Sequence, residues 1–338
     1  MLGRALAWLL LAGGWIHVSG CGTAGGGPSQ LTFSPDGSQV AFIWEDNLQE
    51  LAVDGRTWLR HITLHWCRTN DAGALAMAPI GWFGAEYWRH GELPLDMKWS
   101  PGASRIGVLT PHTLVIVEAH SRRVTAITDE VITSFAWVSD TEVAYCTKRT
   151  AKGMHQRALR RYDLQDRTRG EIARFAWRPA CEYTWNEHWS PSGQFVVFME
   201  PPVRGRFHIV NIQRGVASAR GQTDAYSIGV AWAPDSSRAL CVSAQVGPAL
   251  VYEAFVIDPL TGEMADCTSA FSDVFGDSVA ALEPLWTADG RYVLVNAPGI
   301  GGHLVQPVPW EAIPLGRMFE DAYGSIVAAG SPWLFPIS

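Results

Sequence analysis

Charge is scarce in this chain: Asp, Glu, Lys and Arg together make up 17% of its 338 residues, against roughly 25% in an ordinary soluble domain. Its basic residues stand singly or in short groups such as Arg157, Arg160, Arg161, Arg167 and Arg169, and the net charge is −7. With no basic stripe to meet phosphates, nucleic acid is not an expected partner. The Cys-x-x-Cys pair is also missing, which removes zinc ribbons and thioredoxin-type redox sites from consideration. Near the start an apolar stretch runs from Ala5 to Ile16, short of the roughly 20 residues that span a bilayer as a helix. Few charges combined with 47% hydrophobic residues and sixteen tryptophans exclude long disorder over most of the chain.

What is present at the start reads as a targeting segment. Arg4 precedes the apolar stretch, and small residues lead to Cys21. The tetrad Val18-Ser19-Gly20-Cys21 resembles the lipobox of bacterial lipoproteins, although His17 breaks the apolar run beside it. The resemblance implies that the Cys21 thiol is acylated and that cleavage leaves Cys21 as the first residue. It further implies, from Gly22 in place of an Asp, the outer membrane of a Gram-negative cell, facing the periplasm or the surface. The expected division is a signal peptide over 1–20, a lipidated cysteine and glycine-rich tether over 21–29, and one folded domain over 30–338. Five cysteines then remain, Cys67, Cys146, Cys181, Cys241 and Cys267, so at least one is unpaired in a monomer. Cys146 and Cys241 sit inside apolar runs, where a buried thiol acts as a small hydrophobe.

Self-similarity organises the rest. Six copies of one pattern recur, an aromatic residue followed by a polar turn and an apolar strand, with the aromatics at Phe33, Trp99, Trp137, Trp189, Trp232 and Trp286. The first copy is the clearest: Phe33-Ser-Pro-Asp-Gly37 leads into Gln39 to Ile43. Proline presets φ, Asp or Ser bonds the local backbone, and glycine supplies the positive φ that closes the hairpin. A third strand and a second turn follow, best seen in Phe255-Val-Ile-Asp-Pro-Leu-Thr-Gly-Glu263, with weaker copies at 114–122, 159–168 and 209–215. Four strands per unit make the blade of a β-propeller, so the fold class is all-β. The aromatic spacings are 66, 38, 52, 43 and 54 residues, against roughly 40 to 50 per blade. Six blades are expected. The long first interval leaves open a loop insertion or a seventh blade within 67–93, and the apolar tail 325–338 is expected to close the ring.

These motifs resemble the TolB-like family of WD40-like repeats, in which a Phe/Trp-Ser-Pro-Asp-Gly turn recurs once per blade, and the likeness covers most of residues 30–318. It implies the fold. TolB carries an additional α/β domain before its propeller where this chain has a short tether, so TolB's partners are not carried over. Peptidases of the prolyl oligopeptidase type place similar propellers before a hydrolase domain whose nucleophile lies in a Gly-x-Ser-x-Gly elbow. That pentapeptide is absent and 52 residues follow Trp286, so a serine peptidase is not expected.

Candidate sites lie where the repeat breaks. His61, His65 and Cys67 share one parity, and imidazole with thiolate is zinc or copper chemistry. On an extended strand, however, positions i and i+4 lie about 13 Å apart, so this is a weak metal candidate and no cofactor is expected. Inner strands of a propeller line its channel, and the polar residues at those positions are Asp96, Lys98, Ser134, Glu187, His188 and Glu283. Hydrated channel polars without a ligand are the default there. Trp58, Trp66, Trp82 and Trp88 crowd the long first interval. Aromatic and Arg side chains on a loop are what interfaces use, which makes 69–91, with Trp82, Phe83, Tyr87, Trp88 and Arg89, a candidate contact for an envelope protein or glycan. The opposing reading puts these rings in the core of a further blade. The function expected is a non-catalytic, lipid-anchored envelope scaffold. The alternative is a channel-centred lyase or lactonase-type enzyme acting on a small polar or carbohydrate substrate.

Overall fold

The aromatic-turn-strand repeat folds as antiparallel hairpins, and the computed structural model arranges them into six four-stranded sheets, each ordered as its strands follow in sequence. The structure describes residues 27–49, 59–84, 96–110, 113–129, 131–151, 154–177, 187–199, 205–223, 227–245, 251–268, 283–287, 290, 292–297, 301–307 and 310–314. Two compact units divide the chain, Met1–Ala176 and Trp177–Ser338.

In the first unit, sheet 1 holds β1 (Gly27–Phe33), β2 (Gln39–Gln49), β3 (Leu59–Arg68) and β4 (Asp71–Gly84). Sheet 2 holds β5 (Asp96–Trp99), β6 (Arg105–Leu109), β7 (Thr113–Glu118) and β8 (Val124–Thr128). Sheet 3 holds β9 (Val131–Trp137), β10 (Glu142–Ala151), β11 (Met154–Asp163) and β12 (Thr168–Trp177). In the second unit, sheet 4 holds β13 (Glu187–Trp189), β14 (Phe195–Met199), β15 (Gly205–Asn211) and β16 (Val216–Thr223). Sheet 5 holds β17 (Ser227–Trp232), β18 (Ala239–Gln245), β19 (Val251–Ile257) and β20 (Met264–Asp266). Sheet 6 holds β21 (Glu283–Trp286), β22 (Val293–Ala297), β23 (Gly301–Pro307) and β24 (Trp310–Pro314). First strands of successive sheets pack beside one another, β1 with β5 and β5 with β9 in one unit, β13 with β17 and β17 with β21 in the other.

In four of the six sheets the first turn is fixed by a hydroxyl. Ser34 Oγ accepts the N–H of Gln39 at 2.9 Å, and the same bond runs from Arg105 to Ser100, from Phe195 to Ser190 and from Tyr292 to Thr287, each at 3.1 Å. The fourth turn residue takes a left-handed conformation at Gly37 (φ 68°), Gly193 (φ 67°) and Gly290 (φ 68°), where glycine carries no steric cost. In the turn after β15 and the turn after β19, Asn211 and Asp258 each accept two backbone N–H groups ahead of Gly215 and Gly262, which have φ 66° and 77°.

Both faces of a middle strand are buried, which is why these runs read as nearly continuous hydrophobics. In β6, Ile106 and Val108 pack with Ile43, Ile62, Leu64 and Trp66 of sheet 1, while Leu109 joins Phe135, Trp137 and Tyr145 of sheet 3. Full burial of each such side chain contributes about 1.5–3 kcal/mol. In the second unit, Phe195, Val197 and Ile209 pack with Cys241 and Ile257.

Within the long first interval the described residues form neither a seventh blade nor a loop over 71–84: Cys67 lies in β3, and Asp71–Gly84 is β4, the fourth strand of sheet 1. Aromatic spacing counts every residue of the unit, so the long β3–β4 hairpin inflates the interval without adding a sheet. Alternation settles the strand, with Ala76, Ala78 and Ile80 against the core while Leu75 and Met77 are exposed. The strand β1 begins at Gly27, inside the stretch 21–29 expected as a tether: Gly27 pairs with Glu45, and Pro28 pairs with Trp44. Proline is accommodated because β1 is the first strand of its sheet, and an edge strand spares one N–H. The proposed closing tail, 325–338, lies outside the described residues.

Candidate functional site

The inner-strand polar residues sit where alternation places them. On β5, Asp96 and Lys98 share a face and form an ion pair, Nζ to Oδ2 at 2.7 Å. The same ammonium donates to the Phe135 carbonyl at 2.8 Å and lies 5.0 Å from the centre of the Phe135 ring. Lys98 therefore ties sheet 2 to sheet 3, which uses much of its donor capacity. On β13, Glu187 and His188 pair across to Phe198 and Val197 and alternate in facing. Burial pushes the His188 pKa down, so its ring is neutral at neutral pH. Glu283 opens β21 opposite Asn296.

His61, His65 and Cys67 lie on one face of β3, spread along it rather than gathered. His65 stacks on Phe42 with ring centres 5.3 Å apart and shares a 2.9 Å hydrogen bond with Thr63 Oγ1. Among the described residues no three His, Cys, Asp or Glu side chains are grouped to hold a metal. Cys67, Cys146, Cys241 and Cys267 are all buried. Burial pushes the Cys241 thiol up to about 12, and burial followed by the Asp266 charge does the same for Cys267. These are packing thiols rather than nucleophiles.

The contact stretch proposed from the tryptophans divides. Trp66 is core, 3% exposed, with its indole donating to the Ala119 carbonyl at 3.0 Å. Trp82 and Phe83 lie on β4 in register with His61 and Arg60. Tyr87, Trp88, Arg89 and Trp58 lie outside the described residues.

Sequence reasoning missed a buried ionic network in the first unit. Asp129, with a side chain 6% exposed, pairs with Arg160 and with Arg169 at 3.2 Å, and accepts the Tyr145 hydroxyl at 2.9 Å. Burial, then the hydrogen bond to Asp129, pushes the Tyr145 pKa up. The network joins the end of sheet 2 to sheet 3. Only a contact between distant strands assembles it, so no local pattern could reveal it.

The repeat tryptophans complete the geometry. Trp99 donates its indole N–H to the Thr32 carbonyl at 3.3 Å, and Trp137 donates to Lys98, Trp232 to His188 and Trp286 to Ala231, each at 3.0 Å. Each acceptor is the residue just before the preceding repeat's aromatic. No family model and no curated protein matches the chain. Solved structures do match. The β-propeller domain of the trilobed protease from Pyrococcus furiosus shares 11% identity at a TM-score of 0.51, covering 87% of this chain and 84% of that one. An acylaminoacyl peptidase in complex with Z-Gly-Gly-Phe-chloromethyl ketone also shares 11% identity at a TM-score of 0.51, over 86% of this chain and 46% of the peptidase. The fold is a β-propeller. The sheets are its blades, and the likeness extends to the fold alone.

Between blades 1 and 2, at the end carrying their turns, a cleft of about 770 Å³ opens. Trp66, Cys67 and the small side chains of Ala76, Ala103 and Ala119 line it. Arg68, Asn70, Asp71, His120 and Arg122 also line it, and all five are exposed. Burial, then the Asp71 charge, pushes the Cys67 pKa up. Gln39 of blade 1 donates to the Ala103 carbonyl of blade 2 at 3.1 Å, and within blade 1 Thr69 N–H donates to the Ser38 carbonyl at 2.9 Å.

Proposed function

We propose that this chain is an exported, lipid-tethered propeller that binds rather than catalyses, serving as an envelope scaffold for a protein or a glycan. The observation that carries the reading is how the polar groups of the repeat are used. Lys98 is bonded to Asp96 and Phe135, and the turn hydroxyls of Ser34, Ser100, Ser190 and Thr287 hold backbone N–H groups. The Cys241 and Cys267 thiols are held protonated. These groups serve architecture, which leaves recognition surfaces rather than a reacting centre as the seat of function.

Anchoring at Cys21 rests on the Val18-Ser19-Gly20-Cys21 motif and its setting, and Gly22 directs the protein to the outer membrane if the host is Gram-negative. Lipid chains contribute about 0.8 kcal/mol per buried CH₂, so loss of acylation releases the domain. The test is expression of the full chain in a bacterial host with radiolabelled palmitate. Wild type is expected in the membrane fraction carrying label, and Cys21→Ser in the soluble fraction without it. A soluble, unlabelled wild type overturns the anchoring.

A further inference from the structure

We propose that the cleft between blades 1 and 2 binds a small hydroxylated anion, a sugar-sized molecule bearing a carboxylate or phosphate group. The inference goes beyond the scaffold reading and is independent of where the protein is anchored.

Size and charge carry the proposal together. The cleft encloses about 770 Å³, inside the roughly 300–1,000 Å³ of small-molecule sites. The chain as a whole has a net charge of −7, yet this cleft is lined by two guanidinium groups and an imidazole, Arg68, Arg122 and His120, against a single carboxylate, Asp71. They come from separate turns. Arg68 closes β3, while His120 and Arg122 belong to the turn between β7 and β8. The repeat brings the two turns to the same end of neighbouring blades. The side chains of Arg68, Asn70, His120 and Arg122 form no ion pair or hydrogen bond with other described residues, so their donors are free to face a ligand.

The lining also sets the ligand's other features. Asp71 adds a carboxylate beside the arginines, and a carboxylate accepts hydrogen bonds, so an anion that also carries hydroxyl donors suits this lining better than a bare polyanion. Trp66 is 3% exposed and offers no open ring for a sugar to stack on, so a neutral sugar gains little. The floor of Ala76, Ala103 and Ala119 leaves the volume unfilled. Arginine forks suit planar carboxylates and phosphates alike, which is why the two chemistries share the proposal.

The experiment is calorimetric titration of the full chain with glucuronate, glucose 6-phosphate and glucose, each at about 50 mM and about 500 mM salt. At least one of the two anions is expected to bind, more weakly in high salt, with glucose not bound; which anion binds more tightly separates carboxylate from phosphate. The double variant Arg68→Gln/Arg122→Gly is expected to lose roughly tenfold or more in affinity. At Arg122, which has φ 59°, glycine relieves backbone strain, so the fold is retained; near-UV circular dichroism checks this. Arg214→Gln, an exposed arginine in the other unit, is expected to bind as wild type, as is Cys21→Ser. The proposal is overturned if neither anion binds the wild type, if glucose binds as well as they do, or if the folded double variant binds unchanged.

Discussion

At the end of an inner strand, a tryptophan performs two tasks that no other residue combines. Its ring fills the space between blades, and its indole N–H reaches the carbonyl of the preceding inner strand, as Trp137 does to Lys98 at 3.0 Å. Phenylalanine keeps most of the ring and loses the bond. Trp137→Phe is therefore expected to cost about 1–2 kcal/mol, and Trp137→Ala about 3–5 kcal/mol, both read from urea unfolding; a Phe variant as stable as wild type would remove the bond from the account. A second residue-scale consequence concerns acid. The hydroxyls of Ser34 and then Ser38 bond the Asp36 carboxylate and hold its pKa at about 2, down from 3.8. A carboxylate depressed in the folded state contributes stability above its unfolded pKa and loses it as pH falls through the folded one. The contribution of Asp36 is thus complete above about pH 4 and fades toward pH 2. Carboxyl NMR titration is expected to place the Asp36 midpoint near 2 and to raise it in Ser34→Ala. A midpoint that Ser34→Ala leaves in place contradicts the assignment.

Among the elements, β6 is buried on both faces and packs against two neighbouring sheets at once. Gly107 faces blade 3, where an added Cβ would lie 2.6 Å from Cε2 and 2.9 Å from Cζ of Phe135. Gly107→Ala is accordingly expected to destabilise by about 1–3 kcal/mol, with part of the loss recovered in Gly107→Ala/Phe135→Leu; thermal melts of the single and double variants read the coupling, and additive losses would show that the two side chains do not meet. The first two strands of most blades were legible in the sequence because their turn chemistry is local: Ser, Pro, Asp and Gly act within six residues. The fourth strand of blade 1 was not. Its Ala, Leu, Met and Gly residues carry no strong strand preference, and only pairing with β3 decides its conformation, as in Leu64 opposite Ala78. A stretch that local preference leaves open reads as a loop until its partner strand is known.

For the whole molecule, the repeat identified the fold because six ordered copies of an aromatic turn specify one supersecondary unit many times over. The sites were less legible for the same reason. Repetition encodes architecture, whereas the Asp129 network and the cleft between blades 1 and 2 join residues from different repeats. Of the residues singled out in advance, Asp96 and Lys98 meet as a pair and help hold two blades together, while His61, His65 and Cys67 stay spread along β3. The scaffold reading proposed above places recognition on the surface of the blades. Affinity purification of the full chain from detergent-solubilised envelope, with the eluate quantified by mass spectrometry, tests the scaffold reading most directly. The account predicts one envelope component enriched at a fixed ratio to the bait, in an eluate whose N-terminal peptide begins at acylated Cys21; an eluate with unmodified Cys21 and no enriched component would contradict it.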